Sequence, residues 1–289
     1  MTRRIVLVGC PLEHSMSPVI HNTALRALGL HKEYRYEPLA LRGEELAGLV
    51  RDMSEGRIHG ANITMPYKTE ILRHVHPADE HTALVRSVNT LYCNAAGVVG
   101  TSTDGTGFKR SLTENDINPR GMNVLILGAG GAARAVIAVL LSMGVEQIAI
   151  HNRTMQHALE LREMAHAISD IPVEASTSHE AGLHLSSFEM IVNCTPLGMS
   201  SDLKNMTPIH ISRDDAHLVV VDLVYNPIRT VLLREAITAG CKVVDGTGVL
   251  VHQAAESLRI WLRREDIPVE SMRAALLREL DASGAFTES

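Results

Sequence analysis

The run VLILGAGGAAR at positions 124–134 constrains the fold of this chain more than any other. An apolar stretch ended by Gly-x-Gly and followed by small helix-forming residues reads as a buried strand, a tight turn and a helix. Gly128 and Gly130 let the backbone turn sharply and approach a ligand closely. The first N–H groups of the helix then face outward, ready for an anion such as a pyrophosphate. The third small position is Ala133, which suffices for close packing of helix on strand. The same residues would also make a purely structural turn. Their place between strand and helix is what favours dinucleotide binding.

The next strand, Gln147–Ile150, runs into His151-Asn152-Arg153-Thr154. An NAD site usually places a carboxylate at this tip, to bind the ribose 2′-hydroxyl. A guanidinium and a hydroxyl stand here instead, and they suit a 2′-phosphate through charge-assisted hydrogen bonds. The predicted cofactor is therefore NADP, with NAD as the alternative if Arg153 is only a solvated loop residue.

Further strands are predicted at Asn123–Leu127, Met190–Asn193, Leu218–Asp222 and Lys242–Val244, and a helix at Ala132–Met143 stopped by Gly144. Earlier in the chain, strands are expected at Arg4–Val8, Tyr34–Leu39 and Gly60–Thr64. Helices are expected at Ser17–Leu28 (closed by Gly29), at Glu44–Met53 and from Pro66. Helical patterns return from Val249 to Trp261 and at Val269–Leu280. Strand–helix alternation of this kind predicts mostly parallel sheets with helices on both faces. The fold class is two α/β domains with a cleft between them, the second a Rossmann-type doubly wound parallel sheet. The boundaries fall at 1–105 plus 250–289 for the first domain and 106–249 for the second, with Asn118-Pro119-Arg120-Gly121 as a turn-rich junction.

A chain of 289 residues has room for two such cores. Its 27 basic and 33 acidic side chains give a net charge of −6, which disfavours nucleic acid and anionic membranes as partners. Aromatic residues make up 3%, too few for a base-stacking platform. Cys10, Cys93, Cys194 and Cys241 form no CxxC pair, which fits a reduced, cytoplasmic protein. Fifteen histidines fall into no ligand spacing, so no metal site is expected. The N-terminal apolar run is a strand and not a signal peptide, and the long apolar region 122–150 is broken by Arg134 and several glycines, so no membrane span is expected.

Polar groups gather at other strand ends. Ser15 and Ser17, in GCPLEHSMSP, could donate to a carboxylate, or Ser17 could simply cap the helix that Pro18 begins. Lys68, in NITMPYK, could face a ligand or be solvated. Asn89 lies in SVNT, and Asp104, in TDG, is either a site carboxylate or part of a plain turn.

Taken together, GCPLEHSMSP, NITMPYK, SVNT, TDGTG, GAGGAAR, NRT, NCTPLGM, DLVYNP and DGTGVLVHQAA, in this order, resemble the shikimate dehydrogenase family, including its shikimate/quinate members, over nearly the whole chain. The resemblance implies reversible NADPH-dependent reduction of 3-dehydroshikimate to shikimate, a step towards aromatic amino acids. It implies a catalytic Lys68–Asp104 pair. It places Ser15, Ser17 and Tyr225 on the substrate carboxylate, and Thr64, Asn89 and Gln253 on the ring hydroxyls. Gly128, Ala129, Gly130, Gly131 and Ala132 would line the pyrophosphate, Asn152, Arg153 and Thr154 the adenosine phosphate, and Leu223 and Gly246 the nicotinamide. The first domain would bind substrate and the second NADP, in a monomer or homodimer. Two departures stand out: the family's usual GxNTDG has Ser102 in place of Asn, and His157 replaces the Lys or Arg that often follows NRT in NADP-using members. A quinate or dual-substrate dehydrogenase, possibly NAD-using, and a non-catalytic ligand sensor are the rival readings.

Overall fold

The computed structural model describes residues 2–13, 15–177, 184–199 and 202–282; His14 of the first motif and the last residues of the 250–289 segment lie outside them. The chain divides into two compact units, Met1–Gly107 with Leu250–Glu279, and Phe108–Val249 with the chain from Leu280.

In the first unit the order is β1 (Arg3–Gly9), α1 (Ser17–Ala27), β2 (Tyr34–Ala40), α2 (Leu46–Ser54), β3 (Gly60–Ile63), β4 (His76–Pro77), α3 (Glu80–Val85), β5 (Thr90–Asn94), β6 (Gly97–Thr101) and the start of α4 (Asp104–Glu114). The sheet order is β2-β1-β3-β5-β6-β4. β1 pairs in parallel with β2 and β3, and β4 with β6. The expectation of a mostly parallel sheet fails at β5, which runs antiparallel to both β3 and β6. Asn94-Ala95-Ala96-Gly97 closes a hairpin, with the Asn94 side chain accepting the Ala96 N–H at 2.8 Å, and a connection this short can only join antiparallel strands.

The helix expected from Pro66 does not form either. Residues 65–69 are a turn, followed by a short 3-10 segment at Glu70–Arg73. The Lys68 carbonyl accepts the N–H of Val88 at 2.8 Å, so it is not available to continue a helical ladder. A 3-10 turn at Gly43–Glu45 likewise replaces the first turn of the helix expected from Glu44.

The second unit has all five expected strands and one more, β9, for which no strand is expected: β7 (Asn123–Leu127), α5 (Gly131–Met143), β8 (Gln147–His151), α6 (Met155–Ile168), β9 (Val173–Ser176), β10 (Met190–Asn193), β11 (Val219–Asp222), α7 (Val231–Ala239) and β12 (Lys242–Val244). Its order is β12-β11-β10-β7-β8-β9, all parallel. Numbered from β7 this is 3-2-1-4-5-6, the doubly wound Rossmann arrangement, with the strand order reversing between β7 and β10. Alternate side chains of each strand enter two separate cores: Val124 and Ile126 pack under α5 and α6, Leu125 and Leu127 under α7. The unit boundary falls within α8 (Gly246–Leu262), and α9 (Val269–Ala282) follows. Among the described residues no helix is long and apolar enough to cross a membrane.

Candidate active site

Parallel strands β1 and β3 end side by side, and the chain leaving them carries the polar motifs. Cys10 N–H donates to the Met65 carbonyl at 3.1 Å and Thr64 N–H to that of Val8 at 2.8 Å, which stitches the two exits together. Lys68 stands on the turn after β3, and Asp104 is the first residue of α4. The Lys68 Nζ lies 2.5 Å from Asp104 Oδ2, with side-chain exposures of 16% and 14%. The place of Asp104 at the start of α4 sets its negative charge at the positive end of the helix dipole. Its second oxygen, Oδ1, accepts from Asn89 Nδ2 at 2.9 Å, and the same amide approaches Gln253 Oε1 at 3.2 Å. Four residues from four separate sequence motifs thus form one cluster.

Beneath the pair is a buried polar layer, drawn partly from the same motifs (Asn62, Thr90, Thr103) and partly from residues outside them (His21, Tyr36, Ser257). Asn89 Oδ1 accepts from the Thr103 N–H at 2.7 Å. Asn62 Nδ2 donates to the Asn89 carbonyl at 2.9 Å and reaches Thr90 and Ser257 at 3.1 Å each. The Tyr36 hydroxyl donates to Asn62 Oδ1 at 2.8 Å, and the Tyr36 ring stacks on His21 with centroids 3.9 Å apart. His21 is fully buried, and its Nδ1–H donates to the Ser17 carbonyl at 2.8 Å. Burial holds its pKa down at about 4, the hydrogen bond to Ser17 opposing only part of that shift, so the ring is neutral. Each of these residues reads locally as an ordinary strand or helix position. Only the tertiary pairing of β2, β3, β5 and α8 makes them one layer.

Ser17 is the first residue of α1, not its cap; Met16 holds that place and no side chain caps the helix. The Ser15 Oγ accepts the Ser17 N–H at 3.3 Å, which leaves the Ser15 hydroxyl proton to donate elsewhere. Among the described residues no hydrogen bond joins Ser15, Ser17 or Thr64 to the Lys68 cluster. Ser102, at the family's Asn position, has a buried hydroxyl without a protein partner. Tyr225 is half-buried on the segment after β11, in the second unit.

In that unit the glycine turn has the form an anion cradle needs. Gly128 sits at φ +98°, where a Cβ would also lie 2.8 Å from Thr195 Cγ2. Gly130 is the N-cap residue of α5, no side chain caps the helix, and a Cβ at Gly130 would meet nothing within 4 Å. The first N–H groups of a helix have no partner within it, so this uncapped start fits a pyrophosphate. At the tip of β8, Asn152 Nδ2 donates to the Thr154 carbonyl at 2.8 Å, and Arg153 and Thr154 are exposed, with no acid from 151 to 157. That donor set fits a 2′-phosphate. Leu223 N–H donates to the Asn193 carbonyl at 3.0 Å and Gly246 N–H to that of Val224 at 3.2 Å, so both expected nicotinamide positions belong to one backbone-bonded group. Among the described residues no three metal-ligating side chains cluster.

Three family models match the chain: "Shikimate dehydrogenase substrate binding domain" at residues 7–91, "Shikimate / quinate 5-dehydrogenase" at 111–227, and "Shikimate 5'-dehydrogenase C-terminal domain" at 246–277. The shikimate dehydrogenase (NADP(+)) of Methanopyrus kandleri is 39% identical over 284 residues, covering 96% of each chain. A crystal structure of a shikimate dehydrogenase in complex with NADP+ superposes with a TM-score of 0.87 at 33% identity, covering 96% of both chains. The Listeria monocytogenes shikimate 5-dehydrogenase, in complex with shikimate and NAD, gives a TM-score of 0.86 at 31% identity, covering 95% of this chain and 96% of that one.

Proposed function

Since the chain belongs to the shikimate dehydrogenase family, we propose that it catalyses the reversible reduction of 3-dehydroshikimate to shikimate with NADP. The observation that carries this reading is the Lys68–Asp104 pair, 2.5 Å apart and tied to Asn89. Bound NADP supplies the hydride exchange at the ring carbon. The protein must then move a proton at the adjacent oxygen, and a positioned ammonium–carboxylate pair is suited to that. Lys68 Nζ approaches the oxygen and Asp104 Oδ2 orients it, while Asn89 holds the other carboxylate oxygen so that the pair cannot rotate.

We assign Ser15, Ser17 and Tyr225 to the substrate carboxylate, and Thr64, Asn89 and Gln253 to the ring hydroxyls. Gly128, Ala129, Gly130, Gly131 and Ala132 take the pyrophosphate, Asn152, Arg153 and Thr154 the adenosine 2′-phosphate, and Leu223 and Gly246 the nicotinamide side. In this reading residues 1–105 with 250–289 bind substrate and 106–249 bind NADP, in a cytoplasmic monomer or homodimer. The test is a panel of shikimate and quinate against NADP+ and NAD+, with and without a chelator. Metal-independent turnover of shikimate with NADP+ is expected. Preference for quinate or NAD+ would replace the substrate or cofactor assignment, and no turnover with any pair would leave a ligand sensor.

A further inference from the structure

We propose that Asp222 is a positioning residue for the cofactor, its one carboxylate tying together the chain segments that leave β10, β11 and β7. The inference rests on the NADP reading above. In a doubly wound sheet the dinucleotide lies outside the carboxyl ends of the strands, where the strand order reverses. Here that point is between β7 and β10, with β11 beside β10. Asp222 is the last residue of β11 and is fully buried.

Three donors converge on it. Asn193 Nδ2, at the end of β10, reaches Oδ1 at 2.9 Å, and Val224 N–H reaches the same oxygen at 3.0 Å. The Thr230 hydroxyl, capping α7, donates to Oδ2 at 2.7 Å. Asn193 passes the constraint on. Its Oδ1 accepts from the Thr195 N–H at 2.9 Å and from the Thr195 hydroxyl at 2.7 Å, and that hydroxyl in turn accepts the Leu197 N–H at 3.2 Å. Thr195 packs on Gly128, since a Cβ added there would meet its Cγ2 at 2.8 Å. On the other side Val224, held by Asp222, accepts the Gly246 N–H at 3.2 Å. One side chain therefore sets the glycine turn, the Asn193–Gly198 loop and the Leu223–Val224 backbone against one another.

Only a carboxylate meets all three donors. An asparagine would turn its own NH2 towards the Thr230 hydroxyl, which already accepts the Leu233 N–H at 3.2 Å. Among the described residues no cation pairs with Asp222. Burial, and secondarily the Asp245 charge, push its pKa up to about 6 against the three hydrogen bonds. A buried acid kept at such cost fits a requirement for geometry better than one for stability.

The test compares wild type with Asp222→Asn by titrating NADPH fluorescence without substrate, alongside adenosine 2′-monophosphate, a fragment that lacks both the pyrophosphate and the nicotinamide half. NADPH affinity is expected to fall about tenfold in D222N, while affinity for the fragment stays within threefold. Equal NADPH affinity in wild type and variant would overturn the positioning role, and equal loss for both ligands would reduce it to general loosening of the unit. Wild-type protein that binds no NADPH would overturn the cofactor reading and this proposal with it. Should D222N fail to fold, Thr195→Val, which removes the next hydroxyl in the chain of bonds at a half-buried position, decides the matter. It should weaken NADPH binding roughly threefold and leave the fragment alone, and unchanged NADPH binding would overturn the role.

Discussion

The two units build recognition from different material. In the first, the chemistry is carried by side chains: Lys68, Asp104, Asn89 and Gln253, from four sequence-distant segments, meet over a buried layer of Asn62, Thr90, Thr103 and Ser257. In the second, the phosphate cradle proposed here is backbone, a turn at Gly128 and the uncapped start of α5 after Gly130, and Asp222 is proposed to brace it. A side-chain site loses its reaction when one group is removed. A backbone site tolerates many side chains but not a change of conformation.

The sharpest break of this contrast lies at Lys68. Lys68→Ala should lower kcat by roughly 10²–10⁴-fold, the range for a lost acid/base group, with a much smaller change in KM for shikimate. Asp104→Asn should be severe as well, with a larger rise in KM, and the double variant should lose little beyond the worse single one because both serve one proton path. Steady-state kinetics decide it. Near-normal kcat with only a raised KM would make Lys68 a binding group and the mechanism wrong.

The buried layer predicts a pH effect. His21 has a folded pKa of about 4 against an ordinary 6.5, lowered mainly by burial. Between those values the unfolded chain binds more protons, so the stability due to neutral His21 is present above pH 6.5 and lost as pH falls to 4. The integrated loss is about 3 kcal/mol. Asp222, whose pKa is raised to about 6, acts with the opposite sign over much of this window, so a wild-type curve alone hides both. The difference in urea unfolding free energy between wild type and His21→Leu, measured from pH 7 to 4, isolates the histidine. A difference that does not change with pH would refute the assignment.

Legibility in the amino-acid sequence follows the same contrast. The second unit is readable in every strand but β9, because a parallel strand buried on both faces leaves a continuous apolar run and a glycine turn leaves glycines, whereas β9, Val173-Glu174-Ala175-Ser176, is half-exposed and has no such run. Val124–Leu127, Gly128 and Gly144 each announce a local requirement. The first unit is harder. The β5–β6 hairpin turns on Asn94-Ala95-Ala96-Gly97, which lacks the usual Asn-Gly or Asp-Gly signal. Pro66 mimics a helix start because the Lys68 carbonyl's partner, Val88, is invisible locally. Lys68 and Asp104 stand out only through resemblance to a family, since no spacing rule brings residues 36 positions apart together. Asn62 opens the NITMPYK motif, but its link to Tyr36 and His21 leaves no local pattern, because hydrogen bonds between distant elements have no sequence period.

The charged side chain among the three assigned to the cofactor's far end gives a smaller effect. Arg153→Ala should weaken NADP+ by roughly ten- to a hundredfold, the equivalent of a lost charge-assisted contact of about 1.5–3 kcal/mol, and leave NAD+ nearly unchanged. With His157 three positions after Thr154, where NADP-using members often place a second cation, Arg153 has little help, so the low end of the range would point to Thr154 and Asn152 sharing the load. Binding titrations with both nucleotides measure this. Equal wild-type affinity for both, unchanged by the substitution, would remove the 2′-phosphate from the reading.

The smallest effect probes the backbone itself. Gly128→Ala forces a Cβ onto a φ of +98° and against Thr195 Cγ2, so it should cost about 1–3 kcal/mol of unfolding free energy. Gly130→Ala places its methyl in open space at an ordinary φ of −90°, and should cost only about 0.5 kcal/mol, as a slightly poorer helix start. The same open space is where the cradle would receive a phosphate, so the stable variant should bind NADPH the more weakly relative to its loss of stability. Urea midpoints and NADPH titrations on the pair separate the two quantities. If Gly130→Ala left NADPH binding intact, α5 would not present its N–H groups to the ligand, and the claim that this unit recognises its cofactor through backbone would fail where it is most exposed.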